Sequence, residues 1–307
     1  MTVGIDLGTT EFRSIRRADN EVISTRCPAS YLVVPDSVAH RRLLSQSQTS
    51  FVVIPDQLVV LGEMVTEWSN VFQVPVRPLL PHGELPKDDP LARQLLSIVF
   101  DSVLPPAAQP GETCGMVPSG SLRLANRTPS RETAFFSHLA ELKGYSTVTL
   151  SAAYALSLAE LVVETFCGLS VVIGSSASDF VLVHSSEVLG QSLIHRGWDD
   201  SPVADVDRLS TDAGRAATAE FLTGLFDEAQ RELRQRRAFP HMRQPVTLVV
   251  GGAFAKSEYE PLIRTAFEST DWPLQICRIH FSRDTRMAIA RGALIEAELS
   301  QPISSAA

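Results

Sequence analysis

One unit occurs twice in this chain, and it limits the fold more than any other feature. Val3 to Asp6 reads as a short buried strand, Leu7-Gly8-Thr9-Thr10 as a tight turn of small and hydroxyl-bearing residues, and Phe12 to Ile15 as a strand that follows at once. Leu169 to Val183 repeats the order: strand, a turn at Gly174-Ser175-Ser176, strand. Turns of this kind aim backbone N–H groups at one spot and form an anion nest. Glycine lets an anion approach without a Cβ in the way. Asp6, at a strand end, suits a magnesium ion held through water. The plainer reading of the first unit is an ordinary hairpin turn. Two such units, each followed by strands and helices, predict a duplicated α/β fold with a ligand cleft between the halves, facing both turns.

Composition narrows the partners. The 307 residues suggest about two domains. A net charge of −8 argues against a nucleic-acid surface. The densest basic cluster, Arg231, Arg234, Arg236 and Arg237, sits at a predicted helix end, where it complements the helix dipole. Cys27, Cys114, Cys167 and Cys277 are scattered without a CxxC pair, and the seven histidines lack metal-ligand spacing. No apolar run approaches the roughly 20 residues of a membrane span, and, with a strand at the first residues, no signal peptide is expected. The expectation is a reduced, cytoplasmic protein.

Along the chain, two or three strands are predicted up to about Val34, then a polar loop over 35–50. Phe51 to Gly62 reads as two short strands around a Pro-Asp turn. The prolines between Val74 and Pro90 exclude one continuous helix there. Periodicity predicts helices over 91–104, over 131–143 with Phe135, Leu139 and Leu142 on one side, and over 153–163, 216–236, 259–267 and 285–299. Strands are expected at 113–118, 147–150, 188–194 and 246–250, the last running into Gly251-Gly252. Trp68, Trp198 and Trp272 read as packing residues rather than ligand stackers.

Six pieces in order resemble the superfamily of actin, 70-kDa heat-shock chaperones and sugar kinases, and within it the MreB-like bacterial actins. Gly4-Ile-Asp-Leu-Gly-Thr-Thr looks like the first phosphate loop and Met116-Val-Pro like the strand ending in Val-Pro. Leu150-Ser-Ala-Ala-Tyr-Ala-Leu-Ser-Leu is similar to the first connecting helix, and Val171-Val-Ile-Gly-Ser-Ser-Ala-Ser-Asp to the second phosphate loop. Val249-Val-Gly-Gly-Ala-Phe resembles the adenosine motif and Ala288-Ile-Ala-Arg-Gly-Ala-Leu the second connecting helix. The resemblance implies an actin-like (ribonuclease H-like) fold with two lobes around a nucleotide cleft. The first lobe would span 1–145, with a small IB-like insertion at about 31–75, and the second 146–307. It further implies ATP with magnesium as ligand. Asp6 would lie near the metal, while Gly8, Thr9 and Thr10 would cradle the β- and γ-phosphates. Arg13 stands where eukaryotic actin has a phosphate-contacting lysine. Gly174, Ser175 and Ser176 would form the second loop, and Gly251 and Gly252 would lie against ribose and adenine.

Three departures bear on activity. Val172 stands where the family's second loop opens with a metal-holding aspartate, and Ala152 where the connecting helix carries the acid or amide that positions water. The nearest acids, Asp179 and Glu160, look too far along the chain to replace them. A missing base costs about 10²–10⁴-fold, so hydrolysis is expected to be weak or absent. Gly251 follows Gly174 by only 77 positions, which leaves the IIB-like subdomain missing or reduced to a loop at Ser201 to Asp212, a trimmed second lobe. Three functions remain open: an actin-like ATP-binding protein that associates with itself or another cytoskeletal protein, a non-catalytic actin-fold scaffold, and a small-molecule kinase.

Overall fold

The computed structural model describes residues 2–18, 21–119, 129–161, 166–185, 187–201, 211–239, 245–252 and 254–301. Its core is two five-stranded sheets of identical topology. In the first, β1 (Val3–Leu7), β2 (Glu11–Ala18) and β3 (Glu21–Pro28) form an antiparallel meander, and β8 (Glu112–Pro118) and β9 (Tyr145–Thr149) add in parallel beside β1. In the second, β10 (Gly168–Ile173), β11 (Ser178–His184) and β12 (Glu187–Ile194) form the meander, with β13 (Val246–Gly252) and β14 (Ile276–Phe281) parallel beside β10. The central strands β1, β8 and β10 are buried along their whole length, as strands covered on both faces are.

A smaller four-stranded sheet lies between β3 and the first large helix. It orders β5 (Phe51–Ile54), β6 (Gln57–Leu61), β4 (Ser30–Pro35) and β7 (Arg77–Pro78), and carries α1 (Val38–Gln46) and α2 (Val65–Phe72). Its own core gathers Leu32, Leu58, Val60 and Trp68. The corresponding stretch of the second half runs from Ile194 to Thr211. Its described residues form a single 3-10 turn, Trp198–Asp200. Most of the loop expected at 201–212 lies outside the described residues.

The remaining helices pack in matched pairs. α3 (Pro90–Val103) and α4 (Arg131–Leu142) cover the outer face of the first sheet, where Phe12, Phe100 and Phe136 meet. α6 (Asp212–Gln235) and α7 (Glu260–Glu268) cover the second, around Phe226, Phe267 and Trp272. Between the sheets lie α5 (Ala152–Glu160) and α8 (Ala288–Leu299), and each crosses over. α5 leaves the first sheet and packs on β10, β11 and β13, while α8 leaves the second and packs on β1, β8 and β2. Small residues let the backbones touch. A Cβ on Gly4 would lie 2.1 Å from the Ala290 carbonyl oxygen, and one on Gly292 would lie 1.7 Å from that of Ala155.

Local chemistry sets the helix starts. Ser37, Asp89, Ser130, Ser151 and Thr211 each accept a hydrogen bond from the backbone N–H three residues on. Several sequence expectations need correction. Residues 35–50 are not a loop, because α1 forms there behind the Ser37 cap and buries Leu44 alone. α4 turns a different face inward from the one expected: Thr133, Phe136 and Ala140 are buried, whereas Leu142 is 71% exposed. α2 and β14 were not foreseen. The helix expected to reach 163 ends at Glu160, and 162–165 lie outside the described residues.

Candidate functional site

A cavity of about 380 Å³ opens where the carboxyl ends of β1, β8, β10 and β13 face each other, the usual ligand position in sheets of this kind and a usual size. From the first half it is lined by Asp6, Gly8, Thr9, Thr10 and Arg13, and from the second by Gly174, Ser175, Ser176 and Gly252. Nine of the ten nucleotide-site residues expected from sequence thus surround one space. Gly251 is not on the wall. Its Cα packs against Leu156 and Val172, where a Cβ would come within 2.8 Å of the leucine. Gly252 takes a φ of +79°, and a Cβ there would collide with the Ile173 carbonyl, so a side chain is excluded on both counts. None of the three tryptophans lines the cavity. Trp68 and Trp272 are buried, and Trp198 sits edge-on to Phe254.

The two hairpins match residue for residue at a constant offset of 166. Asp6 pairs with Arg13 across the first, and Val172 pairs with Asp179 across the second. A Cβ on Gly8 would lie 3.0 Å from the Glu11 carbonyl oxygen, and one on Gly174 would lie 3.0 Å from that of Ala177. The second loop is braced from behind, where the Trp198 and Asp199 amides donate to the carbonyls of Gly174 and Ser175 at 2.8 and 2.9 Å. That bracing leaves amides and serine hydroxyls as the loop's groups for an anion.

Asp179 corrects the expectation that it stands too far along the chain. It lines the cavity, opposite Val172 and beside the start of α5. Its Oδ2 accepts from the Ala153 amide at 2.8 Å and its Oδ1 from Gln191 Nε2 at 2.9 Å. Burial pushes its carboxyl above the ordinary range against those bonds. Gln191 also lines the cavity, and its Oε1 is buried with no partner among the described residues. The other acid expected to be too distant, Glu160, lies at the far end of α5, where it accepts from Ser282 and Arg291 and pairs with His280.

Asp6 is buried, and Arg13 Nη1 stands 3.2 Å from its Oδ2. Burial outweighs the arginine and pushes the Asp6 pKa up to about 6. Glu11 fixes the guanidinium from the other side, with Arg13 Nε 2.7 Å from its Oε2. Lys256 and Arg286 complete the charged lining, and both are exposed. Ser151, Gln191, Lys256 and Arg286 were missed in sequence. The signal for Asp179 was the hairpin register, which puts position 179 beside 172 once the turn is placed.

The fold matches solved actin-like structures along nearly the whole chain. It aligns with the MamK double helical filament at 14% identity, covering 98% of this chain and 99% of that one, with a TM-score of 0.60. MreB 5 of Spiroplasma citri bound to AMPPNP aligns at 13% identity over 97% of this chain and 96% of that one, with a TM-score of 0.54. These likenesses establish a duplicated actin-like α/β fold. No curated protein matches the sequence. A family model described as Volactin matches residues 1–219. With more than two thirds of its length under that model and an actin-like fold throughout, the chain belongs to the Volactin family.

Proposed function

We propose that this chain is an actin-like, filament-associated protein that binds ATP in the cleft and hydrolyses it slowly or not at all. The observation that carries this reading is the convergence of two matched glycine-led loops and Gly252 on one cavity from opposite halves. Gly8-Thr9-Thr10 and Gly174-Ser175-Ser176 would hold phosphate oxygens by backbone amides and hydroxyls. Gly252 would admit the nucleoside against bare backbone. A ligand gripped by both lobes would bias the angle between them, which is how nucleotide would reach self-association. The likeness to a filament of MamK and to an AMPPNP-bound MreB supports that assignment.

Slow turnover follows from the walls. Phosphoryl transfer depends on positioning and on neutralised charge, yet Val172 and Ala152 present only hydrocarbon where acids would act. Asp179 is committed to the α5 start and to Gln191, which also opposes a kinase that needs a free carboxylate base. The same two apolar positions favour a second reading, a scaffold that has given up its nucleotide.

Calorimetric titration of ATP into the chain and into a Gly8→Asp, Thr9→Asp double variant tests the first reading. Saturable binding that disappears in the variant is expected. No heat up to millimolar ATP in a folded protein would overturn it in favour of the scaffold.

A further inference from the structure

The actin-like fold implies magnesium, but the carboxylates of this cleft are a poor fit for it, because protein donors already hold three of their four oxygens. Magnesium beside phosphates is held through one or two carboxylates and retained water. Here the position that mirrors Asp6 is Val172. Asp6 accepts from Arg13 at Oδ2, with Glu11 clamping the guanidinium, so only its Oδ1 is left to face an ion. Both oxygens of Asp179 are engaged by Ala153 and Gln191.

Fixed cations stand in the same space. Arg13, Lys256 and Arg286 line the cavity against two carboxylates, Asp6 and Asp179. Arg13 uses Nε and Nη1 for Glu11 and Asp6, and its Nη2 has no hydrogen-bond partner among the described residues. Arg286 forms no ion pair among them, and the carboxylate nearest Lys256, Glu258, is 3.8 Å away on an exposed surface. A guanidinium binds phosphate oxygens directly, through planar paired donors, and needs no bridging ion.

We propose that the cleft takes its nucleoside polyphosphate without a divalent cation, with Arg13, Lys256 and Arg286 supplying the positive charge. This rests on the nucleotide reading above. It adds that the ligand is the metal-free polyanion, with the guanidinium already seated against Asp6 as one of its counter-charges.

The test is ATP binding to the full chain by calorimetry, once in EDTA and once in excess magnesium chloride. Binding in EDTA as tight as in magnesium, or tighter, is expected. Binding found in magnesium alone, or at least about tenfold tighter there, overturns the proposal while leaving the nucleotide reading intact. Silence in both buffers overturns the nucleotide reading and this proposal with it. A Lys256→Ala, Arg286→Ala double variant adds an independent arm, because both side chains are exposed and their loss does not threaten the core. Its affinity in EDTA is expected to fall by at least about tenfold, the scale of a lost charged hydrogen bond. An unchanged affinity would sink the role given to the fixed cations.

Discussion

At the scale of single residues, the two hairpins show one frame carrying two different charge pairs. The first sets an acid against a base, Asp6 and Arg13, and the second sets a hydrocarbon against an acid, Val172 and Asp179. Asp6 has a measurable consequence. Its pKa in the fold is about 6, above the ordinary 3.8, so the folded state holds its proton more tightly than the unfolded chain does. Ionising it therefore costs stability. That cost is absent below about pH 4, grows as pH rises through 6, and is complete above it. Two pKa units correspond to about 3 kcal/mol. An Asp6→Asn variant should lose this slope, so that the wild-type melting temperature falls relative to it between pH 4 and 7. Parallel slopes in the two proteins would mean that Asp6 is not the group being titrated.

At the scale of elements, the tight crossing of α5 and α8 lets one substitution be tried in two contexts. Glycine to alanine inside a helix gains about 1 kcal/mol of propensity. Gly224→Ala in α6 should realise that gain, since the nearest atoms to a new Cβ are the movable guanidinium tips of Arg196 at 3.8 Å. Gly292→Ala in α8 should reverse sign and lose about 1–3 kcal/mol or more by overpacking, because the Cβ would strike the Ala155 carbonyl. Denaturant melts of the two variants give both numbers. A stabilised Gly292→Ala would mean that the helices can part freely.

The same scale explains what the sequence made legible. β1, β10 and β13 are buried apolar runs that end in glycine turns, and α3 and α6 carry long apolar stripes, so both pattern and turn chemistry announce them. α1 buries only Leu44, and β14 has no fully buried residue, so periodicity had little to detect. In α4 a threonine and an alanine face inward while Leu142 faces water, which is tertiary packing overriding side-chain hydrophobicity. The glycine-led turns that line the cavity were legible because small residues at a strand end have few other uses. Gln191 and Lys256 were not, since strand register and the loop after β13 bring them in from distant segments.

At the scale of the whole molecule, each sheet is covered by a helix that the other half delivers. A chain ending at residue 285 should therefore damage the lobe it leaves untouched in sequence. Loss of α8 strips the inner face of β1, β8 and β2, including the surface at Gly4. Differential scanning calorimetry of that truncation is expected to show the first lobe destabilised along with the second. A first-lobe transition at its original temperature would contradict the exchange.

The exchange also sets a timetable for synthesis. The last strand of the first sheet is finished at Thr149, but the helix that seals it begins at Ala288. At about 5–20 residues per second, the nascent chain must hold an assembled, apolar and unroofed sheet for roughly seven to thirty seconds before its cover is made. During that interval the face at Gly4 is open to whatever else can lie flat upon it.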